Sequence, residues 1–358
     1  MPESLFLHEL KFLKPAGTSR GVLYTKPSWI YQLSLSNGKF AQTEFPVIPG
    51  LSPEYIDHTQ YEQALTQFLT LAKVQLEAWS KIDFLQDQQY QLFISNWQAY
   101  PSFVFGLELL LFAIQANGSS VLFNSPFTDS AISIPINGLV WMGNLADMRQ
   151  QAQQKISAGF QTVKLKIGAL DWQQELSLLA ELRAAAPATQ LTIRVDANGA
   201  FSAAQAREVL KELARLEIHS IEQPIAAGQP KEMAELAALN LVPIALDEEL
   251  IGVHGTIQKA ALLDRIKPQY VILKPSLHGG FSGVKEWIAL AEERQIAWWL
   301  TSALESAIGL SAIVQFGFLF PLDLPQGFGT GGLYSNNFES RLAIENGHIF
   351  WLNDSHKD

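Results

Sequence analysis

The chain has 358 residues, is 48% hydrophobic, contains no cysteine and carries a formal net charge of −10. Such a length can bury a large α/β core beside a smaller domain, and the apolar share is too high for a disordered chain. The lack of cysteine excludes disulfides, thiolate metal sites and cysteine nucleophiles, and an acidic balance without a basic run argues against nucleic-acid and anionic-membrane partners.

The opening MPESLFLHEL has neither a positive lead nor a small-residue cleavage site, so no signal peptide is expected and a cytoplasmic enzyme fits best. Residues 19–45 alternate β-rich runs around Asn37-Gly38, a hairpin pattern. Residues 61–82 and 101–117 then show apolar side chains at helical spacing. The most apolar stretches, 103–114 and 312–320, are broken by Glu108 and Gln315 and fall short of the ~18 residues that span a bilayer. Strands followed by helices predict an α+β domain over 1–130.

From residue 131 strand and helix patterns alternate. Strands are expected near 132–143, 162–167, 191–197, 220–225, 242–248, 270–275, 296–302 and 322–331, with a helix in each gap. Eight strands exceed what a flavodoxin-like open sheet needs, so a β/α barrel is predicted over 131–338. The tail reads as a hairpin turning at Asn346-Gly347, and 339–358 is expected to return to the N-terminal domain and complete it.

Several of these strands end on residues able to do metal and proton chemistry. TVKLKIG carries Lys164 and Lys166, IRVDANG ends on Asp196, SIEQPI carries Glu222, IALDEEL carries Asp247 and YVILKPS carries Lys274. The steps between them are about 25 to 30 residues, the length of one strand–helix unit, so a barrel would bring them all to one mouth. A single acid there would be an ordinary cap or rim salt bridge. Three on consecutive strand ends predict one divalent ion, and oxygen ligands without His or Cys select Mg2+, or Mn2+, over zinc. Asn198 and Glu248 are expected as their outer partners.

Lys164 and Lys166 stand two apart on a strand and so share a face. Val163, Leu165 and Ile167 claim the helix-packed face, which sends the lysines inward. Burial and neighbouring cations are expected to lower their pKa toward ~7–8, the range of a working base.

KLK, DAN, EQP, DE and LKP, in this order and spacing, resemble the enolase superfamily in its muconate-lactonizing subgroup. The resemblance implies an enolase-like fold, a modified (β/α)7β TIM-like barrel with an N-terminal α+β capping domain. Members of that family bind a substrate carboxylate to Mg2+, remove its α-proton and stabilise the enediolate. PAGTSRG (15–21), TSALES (301–306) and GFGTGGLYSNNF (327–338) are similar to the o-succinylbenzoate synthases of menaquinone biosynthesis. That likeness implies dehydration of a small dicarboxylate, with Lys166 as base, Lys274 as the charged partner on the opposite face and Lys164 tuning Lys166. No His stands at 301–306 to serve as a second base.

Gly327, Gly329 and Gly332 form a G-x-G-x-x-G whose context is wrong for a dinucleotide site, since no βαβ unit follows. Gly329, Thr330 and Gly331 are expected instead to offer an anion nest to a substrate carboxylate, with hydroxyls from Thr301 and Ser302. Thr18, Ser19 and Arg20 lie between Gly17 and Gly21, and the resemblance makes this a lid in which Ser19 and Arg20 face substrate. The rival reading is an N-acylamino-acid or dipeptide racemase or epimerase on the same scaffold. Dipeptide epimerases usually place Asp-x-Asp where this chain has Gly329-Thr330-Gly331, which argues against an amino-acid substrate.

Overall fold

A computed structural model describes residues 3–18 and 21–353. The N-terminal part is an antiparallel sheet of β1 (Glu3–Thr18), β2 (Gly21–Ser34) and β3 (Phe40–Pro46), followed by α1 (His58–Lys73), α2 (Leu76–Trp79), α3 (Gln88–Ser95) and α4 (Pro101–Gln115). The expected turn at Asn37-Gly38 joins β2 to β3, with Gly38 at φ +79° and the Asn37 side chain accepting the Lys39 N–H. β1 was not foreseen as a strand. It pairs along β2 from Glu3–Leu33 to Thr18–Gly21, with an irregularity between Lys11 and Ala16.

The second part begins with β4 (Ile134–Pro135) and β5 (Gly138–Val140). Then alternate α5 (Leu145–Ser157), β6 (Thr162–Lys166), α6 (Trp172–Ala185), β7 (Thr192–Asp196), α7 (Ala203–Arg215), β8 (Ser220–Glu222) and α8 (Pro230–Ala238). β9 (Ile244–Leu246), α9 (Thr256–Ile266), β10 (Tyr270–Leu273), α10 (Gly280–Glu292), β11 (Ala297–Leu300) and α11 (Ala307–Gly317) complete the alternation, and β12 (Leu342–Glu345) with β13 (His348–Trp351) ends it. β5 to β11 form one parallel sheet in chain order.

The predicted eighth strand is reduced to Gln326 and Gly327, which bridge Ile136 on one side and Thr301 on the other and so close the ring. Pro321 and Pro325 precede this segment and cannot donate to a ladder, which limits its extension toward the N-terminus. The ring is the α/β TIM-like barrel of the enolase-like fold, seated beside the N-terminal sheet and helices.

Alternation sorts the barrel strands. On β6 and β7, Val163, Leu165, Ile193 and Val195 pack under the helices at 0–1% exposure, while Lys164, Lys166, Arg194 and Asp196 belong to the opposite face. Arg194 is held inside the barrel by the Pro325 carbonyl at 2.8 Å and by the Trp299 ring, 4.0 Å from its guanidinium carbon. Trp299 thus belongs to the lining, while Trp298 packs in the main core.

Helix α4 is buried nearly all round because it joins two cores. Phe103, Leu107, Leu110 and Leu111 pack with the N-terminal sheet and α1, whereas Phe105 and Leu109 pack with the barrel. The tail departs from expectation. Its hairpin does turn at Asn346-Gly347, both at positive φ, but β13 pairs with β4 rather than with the N-terminal sheet. Ile349 and Trp351 supply apolar surface to the barrel core, and that burial sets where the tail goes.

Candidate active site

The strand ends meet around a cavity of about 150 Å³ at the C-terminal side of the barrel. Lys164, Lys166, Asp196, Asn198, Asp247 and Lys274 all line it, and Glu222 lies behind them, 2% exposed. Lys164 bridges Asp196 Oδ2 at 2.9 Å and Glu222 Oε2 at 2.5 Å. Lys166 reaches Asp196 Oδ2 at 3.1 Å and Asn198 Oδ1 at 2.7 Å, and Lys274 pairs with Asp247.

These contacts correct the expected lowering at Lys164. Burial does push Lys164 down, but the charges of Asp196, Glu222 and Asp247 outweigh it and hold the amine above its ordinary value. Lys274 is likewise raised, burial being overcome by Asp247 and Glu222. The expectation brought the three acids to the same mouth but weighed only cations and burial in setting the lysine pKa. Among the acids, burial opposes ionisation of Asp196, yet Lys164 and Lys166 hold it well below the usual carboxylate range. Burial opposes ionisation of Asp247 too, and Lys274 outweighs it and holds that carboxyl below its ordinary value. Glu222 goes the other way, pushed well up by burial and by the anions at Asp196 and Asp247.

The donor set fits a hard cation. Glu222 Oε1 and Asp247 Oδ1, from neighbouring strand ends, are buried with no hydrogen-bond partner, a costly arrangement that a cation would relieve. Among the described residues the acids do not already converge as a three-ligand cage, because the lysines draw their other oxygens aside.

The outer partners foreseen at Asn198 and Glu248 are in contact. Asn198 accepts from Lys166 through Oδ1, donates to Glu248 Oε1 at 3.0 Å through Nδ2, and donates its backbone N–H to Asp196 Oδ1 at 3.0 Å. Gln223, overlooked in the sequence, ties two strand ends together: its Oε1 accepts the backbone N–H groups of Asp247 and Glu249. Its position directly after Glu222 in EQP was the available clue. His278 accepts the Lys274 backbone N–H at 3.0 Å through Nδ1.

Thr301, Ser302, Gly329 and Thr330 line the cavity, and Gly331 does not. Gly331 opens a short 3-10 helix, and a side chain there would meet Leu310, so this stretch turns away before the third residue of the supposed nest. Gly327 lies so close to the neighbouring strand that a Cβ would stand 2.2 Å from Thr301 Oγ1, which explains a glycine there without any nucleotide. Ser19 and Arg20 lie outside the described residues. Their neighbours Gly21, Val22 and Leu23 line the cavity, as do Ile48, Pro49 and Leu51 after β3. Asn137 and Trp141 also face it and were not foreseen.

Comparison with known proteins agrees with this geometry. Residues 147–353 match the family model described as enolase C-terminal domain-like. The chain is 44% identical to the o-succinylbenzoate synthase of Desulfotalea psychrophila over 95% of its own length and 96% of the relative's. It superposes on the crystal structure of MenC from the same organism with a TM-score of 0.83 and 40% identity, covering 97% of this chain and 99% of the other. The substrate-liganded L-Ala-D/L-Glu epimerase of Bacillus subtilis shares the fold, with a TM-score of 0.81 at 19% identity over 98% and 96% of the two chains. This chain belongs to the enolase superfamily, within its o-succinylbenzoate synthase family.

Proposed function

We propose that this chain is an o-succinylbenzoate synthase, a hydro-lyase that dehydrates 2-succinyl-6-hydroxy-2,4-cyclohexadiene-1-carboxylate to o-succinylbenzoate in menaquinone biosynthesis. The observation that carries this reading is the union of full-length similarity to such an enzyme with two lysines, Lys166 and Lys274, that line one cavity with Asp196 and Asp247, Glu222 lying directly behind. Asp196, Glu222 and Asp247 would hold a divalent cation, Mg2+ or Mn2+, which when bound offsets the negative charge that builds on the substrate carboxylate.

The chain's own residues do the proton work. Lys166, as its free amine, takes the proton from the carbon bearing the carboxylate, and the electron pair moves toward that carboxylate. The carbon–hydroxyl bond then breaks, the new double bond completes the aromatic ring, and Lys166 returns its proton to the departing hydroxyl as water. Lys274 keeps its charge and steadies the enediolate from the opposite face. Asn198 orients the Lys166 amine, and Lys164 separates it electrostatically from Glu222. Thr301, Ser302, Gly329 and Thr330 would hold the succinyl carboxylate, and Ser19 and Arg20, which precede Gly21 in the chain, would add substrate contacts.

We take residues 1–130 as the cap that shuts the mouth and 131–338 as the barrel. Among the described residues, Asp196 and Asp247 are the cavity's lining acids, and both are engaged by lysines. No further acid is left to hold a substrate ammonium group, which favours dehydration over racemisation of an amino acid with a free amine. The test is loss of the substrate's conjugated-diene absorbance with purified protein. Turnover that stops with a chelator and returns with Mg2+ is expected, and no turnover under either condition would sink the proposal.

A further inference from the structure

We infer that Glu305 is a positioning residue that fixes the substrate-facing segment Thr301–Leu304, and that Lys26 and Glu44 of the N-terminal sheet fasten that segment to the cap. All four residues of the segment line the cavity, whereas Glu305, Lys26 and Glu44 do not. Leu304 has φ +64°, a left-handed conformation that leucine adopts only when its surroundings impose it.

Those surroundings are explicit. The Leu304 N–H donates to Ser302 Oγ at 2.8 Å, its carbonyl accepts from the Tyr334 hydroxyl at 2.7 Å, and the Ala303 N–H donates to Glu305 Oε2 at 2.8 Å. The other Glu305 oxygen accepts from Ser276, two residues beyond Lys274, so one carboxylate ties together the segments that follow β10 and β11.

The fastening runs on through α11. Glu44 accepts from the Ser306 N–H and hydroxyl and from the Gly309 N–H at 3.0 Å, and on its own sheet from the Ser28 hydroxyl at 2.6 Å. Lys26 donates to that same hydroxyl at 3.2 Å, and its charge is felt at Glu305. Lys26, Ser28, Glu44, Glu305 and Ser306 are all fully buried, where charges persist only with partners. β2 also begins with Gly21, Val22 and Leu23, and β3 leads into Ile48, Pro49 and Leu51, all of which line the cavity. One buried network therefore sets the cap's lining and the barrel's lining relative to each other.

The enzymatic half of the test rests on the proposed dehydration. Glu305→Gln keeps the shape but cannot accept from both the Ala303 N–H and the Ser276 hydroxyl. Its KM should rise about tenfold, the scale of a small misplacement of contact groups, while kcat changes far less. Lys26→Met should shift KM in the same direction, and it decides the matter if Glu305→Gln does not fold. Glu108→Gln serves as a comparison, a buried carboxylate at the same seam that touches neither the cavity nor this segment; it should lower Tm and leave KM alone. An unchanged KM in folded Glu305→Gln, or an equal rise in Glu108→Gln, would overturn the inference. Amide exchange at Ala303 and Leu304 needs no substrate and should be faster in Glu305→Gln; unaltered exchange also overturns it. A wild-type protein without turnover would defeat the functional reading alone, because the exchange measurement still stands.

Discussion

Two sets of buried carboxylates divide the work of this molecule. At the barrel mouth, Asp196, Glu222 and Asp247 face flexible ammonium groups and retain two oxygens without a partner. At the seam between the N-terminal helices and the barrel, Glu108 accepts the Phe281 and Ser282 N–H groups at the start of α10, together with the Tyr90 hydroxyl. Glu44 does the equivalent for α11. Residue type and burial are alike, so the donors make the difference. Helix N-termini offer fixed N–H groups and a favourable dipole that satisfy an anion where it stands, which makes a joint. Lysine side chains can swing, exchange partners and move protons, which suits the proposed reaction centre.

The sharpest way to break this comparison is at the mouth. Lys166→Arg keeps the positive charge but cannot release a proton, so dehydration should fall by about a thousandfold, in the range of a lost general base, with Tm preserved. Lys274→Arg should lose less, because its proposed task is charge. If Lys274→Arg were dead and Lys166→Arg active, the two roles would be exchanged. Metal affinity comes next. Calorimetry with Mg2+ should show Asp247→Asn weakened more than Asn198→Ala, for which the about 10–100-fold loss of an outer partner is expected. Equal affinities for both variants and wild type would remove the acids from the metal site.

At the seam the effect should be smaller and should fall on stability. Glu108→Ala leaves two α10 N–H groups buried without their acceptor, at a cost of about 1–3 kcal/mol, and should lower Tm by a few degrees with kcat/KM unchanged. A loss of activity without a loss of Tm would contradict the division proposed here.

The same burial gives the seam a pH dependence. Burial pushes Glu108 up to about 7, against its hydrogen-bond donors, from an ordinary value of 4.5. The folded state then holds this proton where the unfolded chain has lost it, so its contribution to stability is full below pH 4.5 and is lost as pH rises to about 7. Subtracting the pH–Tm curve of Glu108→Gln from that of wild type should reveal a decline across this window. A flat difference would mean that the carboxylate stays ionised throughout.

Local chemistry placed most of the candidate site. A period-two strand cannot turn Lys164 and Lys166 inward without sending Val163 and Leu165 to the helices, and the regular strand–helix spacing carries Asp196, Glu222, Asp247 and Lys274 to one end of a ring. Such relations hold within one strand or one repeat, so the residues themselves disclose them. Contacts between distant segments are another matter. The raised pKa of Lys164 depends on acids 32 to 83 residues away, and the tail's choice of β4 depends on which apolar surface Trp351 and Ile349 could cover. Glu108 read only as an interruption in a greasy helix; folding brings it to the start of α10, 173 residues on. The amino-acid sequence by itself determined the barrel, the lysine pair and the acids, because periodicity sets side-chain direction. Only the tertiary structure decided which charges meet, because a buried group's charge depends on every neighbour that the fold delivers.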